Sequence, residues 1–78
     1  MITSGIRNRL RAMRVDASIV NACRISQRYL LGHEYPYAWR VEFPDGSTMS
    51  GRTGELRNLD EHIALAIAGY ARSEAVAS

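Results

Sequence analysis

The side chains able to do chemistry in this chain are few: His33, His62, a single cysteine at Cys23, and ten basic residues that are all arginine. A metal site needs His or Cys in closely spaced pairs, so that several ligands arrive from one turn or loop. Here the histidines stand far apart and Cys23 has no second cysteine. His33 beside Glu34 could be written as an acid-base pair, but neighbouring loop residues point apart. His62, next to the acidic Asp60-Glu61, reads as surface pairing. No serine stands in a nucleophile elbow. Gly51-Arg52-Thr53-Gly54 loosely resembles an anion-cradling backbone, yet residues 55–58 separate it from the following helical pattern, and no Lys-Ser or Lys-Thr follows. A chain of 78 residues also has little room to enclose a substrate. The expectation is a non-enzymatic protein with no cofactor and no metal.

The arginines are the remaining resource. Guanidinium makes planar, bidentate contacts to phosphate or carboxylate that an ammonium cannot, although a GC-rich coding sequence would also favour arginine. The net charge is only +2, so any electrostatic contact must be local. Arg7, Arg11 and Arg14 fall on one stripe of a helical pattern, with Arg9 on the other flank. This stripe is either a solvated edge whose stems cover the core or a track for phosphates.

Those residues must be positioned by a small set of elements. Thr3 or Ser4 can cap a first helix in which Ile6, Leu10 and Met13 face inward. Trp39, Val41 and Phe43 alternate with Arg40 and Glu42, the period of a half-buried strand. Pro44-Asp45-Gly46 supplies a turn, and Ser47 to Gly51 returns as a second strand. Asn58 and Glu61 have capping-box form ahead of a last helix with Leu59, Ile63, Ala66, Ile67 and Tyr70 inward. A second seam of small residues on that helix, Ala64, Ala68, Ala71 and Ala75 with Gly69 beside it, can receive the first helix or a second copy of the chain. The fold class is α+β, and residues 1–78 make one small domain.

Residues 15–32 admit two readings. In one, Asp16 caps a short helix with Ile19, Val20 and Cys23 inward, and Ser26 caps another with Tyr29 and Leu30 inward. That arrangement resembles a helix-turn-helix, although Arg24 stands where glycine is usual in the turn and the second helix would stop early at Gly32. The resemblance implies that Gln27 and Arg28 reach base edges, with the hairpin as a wing and the Arg7, Arg11 and Arg14 stripe on phosphates. In the other, a strand from about Ala22 to Leu31 pairs with residues 37–43 across the loop at residues 32–36. Tyr35 and Tyr37, in and beside that loop, are of the type that anchors interfaces.

The hairpin WRVEFPDGSTMSG followed by the amphipathic LDEHIALAIAGYARSEA, in a short arginine-rich chain, resembles small phage anti-defence proteins of the anti-CRISPR type. The resemblance is architectural and carries no diagnostic motif. It implies a protein that acts by occupying a surface of a host protein or nucleoprotein complex that handles nucleic acid. Arg7, Arg11, Arg14, Glu34, Tyr35, Tyr37, Arg40 and Glu42 would then be contacts. The alternative is a small winged helix-turn-helix regulator that binds duplex DNA. The lone cysteine and the lack of a leader or of a ~20-residue apolar run fit a cytoplasmic protein with no membrane partner. A homodimer would form through Ala64, Ala68, Gly69 and Ala71.

Overall fold

The computed structural model describes residues 3–77, with side chains through residue 74. Helix α1 (Ser4–Ala12) and helix α2 (Ala17–Ala22) precede three strands, β1 (Arg24–Tyr29), β2 (Tyr37–Glu42) and β3 (Thr48–Thr53), and helix α3 (Leu56–Ala77) ends the chain. The strands form an antiparallel meander in the order β1-β2-β3. α3 packs on β2 and β3, and α1 packs on α3, so the helices form one layer and the sheet the other. One apolar cluster lies between the layers: Ile6 and Leu10 from α1, Ile25, Trp39 and Val41 from the sheet, and Leu59, Ile63 and Ile67 from α3. Each such side chain removed from water contributes roughly 1.5–3 kcal/mol, and together they offset the entropy of ordering a short chain.

α1 begins where expected: the Thr3 hydroxyl oxygen accepts the Ile6 N–H at 3.2 Å. It stops at Ala12 because Arg14 turns into the left-handed region, φ 59°, where the Arg14 N–H reaches the Arg11 carbonyl and the Val15 N–H the Leu10 carbonyl. Met13 was expected to face inward. It caps the helix and is exposed instead, because the chain has already left the helical path that would carry it onto the Ile6-Leu10 stripe.

Both readings of residues 15–32 are half met. Asp16 does cap a short helix, its carboxylate accepting the Ser18 N–H and hydroxyl at 2.9 Å each. After Cys23 the chain becomes a strand, and Arg24 to Tyr29 pair in register with Glu42 to Tyr37. The second helix of a helix-turn-helix is absent. Backbone pairing with an already committed β2 satisfies a full ladder of donors and acceptors, which outweighs the mild helical preference of Arg, Gln and Leu.

The hairpin turn follows its residues. Gly46 takes φ 90° and donates to the Phe43 carbonyl at 3.0 Å, while the Asp45 carboxylate accepts the Ser47 N–H at 2.9 Å and its hydroxyl at 2.6 Å. β3 runs two residues further than expected, to Thr53. Gly51-Arg52 is therefore strand and not an anion-cradling loop. Gly51 sits opposite Trp39, whose indole lies over it so closely that an added Cβ would come within 2.8 Å of the ring.

α3 also starts a turn earlier than Asn58. The buried Thr53 hydroxyl oxygen accepts the Glu55 N–H at 3.4 Å and the Asn58 N–H reaches the Glu55 carbonyl, so the capping box lies inside the first turn. The inward stripe is as expected, and Tyr70 stacks on Phe43 with ring centres 4.5 Å apart. Ala64 and Ala68 are buried. Asp60 approaches Gly5, and Ala68 shares a cleft with Met13, so the small-residue seam carries α1 running parallel to α3. Two of the four residues proposed for a homodimer are thus already covered within the chain. Gly69 is exposed and Ala71 half-buried, and the side chain of Ala75 lies outside the described residues.

Candidate binding face of the sheet

Alternation along three registered strands sorts their side chains onto two faces. Ile25, Trp39, Val41 and Thr53 point to the helices and are buried. The other face is uncovered by any described helix. Across it run three rows: Arg24, Glu42 and Thr48; then Ser26, Arg40 and Ser50; then Arg28, Ala38 and Arg52. All are exposed except Ala38, which is half-buried. The face thus holds four arginines against one glutamate, in a chain whose whole net charge is +2. None of the four is ion-paired among the described residues, where Arg57 with Glu55 forms a surface pair elsewhere.

Short side chains keep these guanidiniums apart. Arg40 stands on the central strand with a serine on either side, and Arg28 and Arg52 flank Ala38. A shallow depression of about 330 Å³ opens there, lined by Ser26, Gln27, Arg28, Ala38, Trp39 and Arg40. With hydroxyls and guanidiniums but no exposed aromatic, the face offers hydrogen-bond donors to an anion and little area for an apolar anchor.

The residues expected to bind a partner are divided by the fold. Arg28, Arg40 and Glu42 lie together on the open face. Gln27 faces the opposite way, with Trp39, so it and Arg28 cannot read one groove as neighbours on a helix would. Arg7, Arg11 and Arg14 are exposed on and just after α1, in the helical layer. Arg7 is tied to the Asn21 side chain at 2.9 Å. Glu34 and Tyr35 are exposed in the β1–β2 loop, which the Leu30 N–H closes onto the Pro36 carbonyl at 2.7 Å. Tyr37 is half-buried against the core with Tyr29 edge-on at 5.2 Å, so it serves packing more than contact.

The sequence reading puts Arg24 in a turn and Arg52 in a Gly-rich loop, and only the structure brings both onto one face with Arg28 and Arg40. The signal was present in the alternations Arg24-Ser26-Arg28 and Thr48-Ser50-Arg52, which only become faces once both segments are strands.

No metal-binding group of three or more His, Cys, Asp or Glu forms among the described residues. Cys23 is buried, its thiol donates to the Ile19 carbonyl at 3.2 Å, and burial pushes its pKa up, so it remains protonated at neutral pH. No described helix is long and apolar enough to cross a membrane. No protein-family model, curated protein or solved structure matches the chain.

Proposed function

We propose that this protein is a non-catalytic nucleic-acid-binding module whose contact surface is the open face of the sheet. The observation that carries the reading is the set of four exposed arginines, Arg24, Arg28, Arg40 and Arg52, which have no ion pair among the described residues and share a face with one acidic residue that no described helix covers. Phosphates would replace the water around those guanidiniums, and release of counterions would supply the affinity. The test is fluorescence anisotropy with random-sequence nucleic acid at about 50 and 200 mM salt. Binding should fall steeply with salt, and Arg28→Ala with Arg52→Ala should weaken it at least tenfold. Absence of binding at the lower salt, with the protein folded by circular dichroism, would overturn the reading.

A second reading keeps the surface-occupying inhibitor of the phage anti-defence type. What favours it is a separate patch at the β1–β2 end, where Tyr29 is 57%, Tyr35 55% and Leu31 85% exposed. Large exposed tyrosines are common interface anchors. In that case Tyr29→Ser with Tyr35→Ser abolishes capture of a host nucleic-acid-handling complex, while the Arg28 and Arg52 changes leave it intact.

A further inference from the structure

We infer that the nucleic acid is B-form duplex DNA, that the open face enters its major groove, and that Arg40 reads a guanine there. This rests on the nucleic-acid reading above and adds a geometry and a base to it.

Strands in a sheet lie about 4.8 Å apart, so the three strand axes span roughly 10 Å and the sheet with its edge backbones roughly 15 Å, which seats it over the mouth of a groove with only its side chains reaching in. The major groove of B-DNA is about 12 Å wide, whereas the major groove of A-form RNA is deep and too narrow for side chains to read. With the sheet seated along the groove, β1 and β3 lie nearest its walls. Arg24 and Arg28 on β1 and Arg52 on β3 then extend toward the two phosphate backbones. Arg40 is on the central strand, furthest from either wall and directed at the floor. Its cross-strand neighbours are Ser26 and Ser50, too short to screen it, and it has no carboxylate partner among the described residues.

An arginine directed at the groove floor has one preferred target. Guanine presents O6 and N7 as adjacent acceptors, which the guanidinium fork meets with two parallel hydrogen bonds. Beside it, the depression over Ala38 leaves space for the neighbouring base edge, and a methyl side chain there suits the methyl group of thymine. A flat acidic protein surface would use the four arginines equivalently. The division into edge and centre is what distinguishes a groove.

The experiment selects binders from a random B-DNA duplex pool and measures the selected duplex by anisotropy against its A-form RNA counterpart and its single strands. The selected duplexes should share a guanine. Arg40→Lys, which keeps the charge and loses the bidentate fork, should reduce discrimination at that base by roughly 5- to 150-fold, while the salt slope stays nearly unchanged. Arg52→Ala should weaken all duplexes alike and lower the salt slope by about 0.9. Unchanged melting temperatures verify that these exposed substitutions leave the fold intact. Binding without base preference, equal affinity for RNA duplex or single strands, or a guanine preference retained in Arg40→Lys would overturn the groove assignment while leaving nucleic-acid binding standing. Failure to bind any of the probes would overturn both.

Discussion

At Gly51 the absence of a side chain is what lets the indole of Trp39 close the core. Gly51→Ala forces that ring away from its site or bends β3, and overpacking of this kind costs about 1–3 kcal/mol. Trp39→Ala empties the same space and should cost about 3–5 kcal/mol. Urea unfolding of the two variants gives both numbers; an unchanged midpoint for Gly51→Ala would mean that the ring moves freely. The Cys23 thiol makes a second residue-scale prediction. Being protonated and covered, it should react with iodoacetamide far more slowly than a free thiol, and urea should restore the full rate. Rapid alkylation of the folded protein would show that the α2–β1 junction opens.

At the scale of elements, the hairpin was readable because each turn residue has its own mechanism, and the core stripes of α1 and α3 because their apolar spacing is helical. The segment at residues 24–29 was not readable. Gln27 interrupts the apolar alternation on the inward face, and strand formation there depends on β2, a partner remote in sequence. With that strand undecided, the open face cannot be assembled from the sequence: Arg24 reads as a turn residue, Arg52 as part of a Gly-rich loop, and Arg28 as the neighbour of Gln27 on a helix. The capping box at Asn58 misled for a related reason: Thr53 and Glu55, fixed by the end of β3, start the helix first.

The turn carries an element-scale prediction of its own. Hydrogen bonds from the Ser47 hydroxyl and N–H hold the Asp45 carboxyl below its ordinary range. A carboxylate whose pKa is lower folded than unfolded contributes stability that is complete above the unfolded value and is lost as pH falls through the folded one. An NMR titration should therefore place the Asp45 midpoint below the reference of about 3.9, with the Ser47 amide shift following it. Asp45→Asn should remove that transition. A midpoint at or above the reference would mean that the turn is open in solution.

For the molecule as a whole, two basic regions lie on opposite layers. The arginines of α1 belong to the helical layer, and those of the sheet face away from it, so no single flat surface can meet both. Arg7→Ala with Arg11→Ala should leave nucleic-acid affinity within about twofold, apart from the small loss expected for distant charges across a Debye length of about 10 Å. An effect as large as that of Arg28→Ala with Arg52→Ala would mean that the ligand wraps around the molecule.

Trp39, the chain's one tryptophan, sits on the side of β2 opposite the guanidiniums, with its indole nitrogen buried and without a hydrogen-bond partner among the described residues. The protein therefore carries an intrinsic fluorophore whose ring, over Gly51, is directed away from its proposed binding face. Its emission should be blue-shifted while the core is intact and should stay constant when DNA is added. A ligand that quenches it would be touching the other side, where Met49, Leu65 and Gly69 border the indole. One emission spectrum thus reports folding and the side of approach together, without a label.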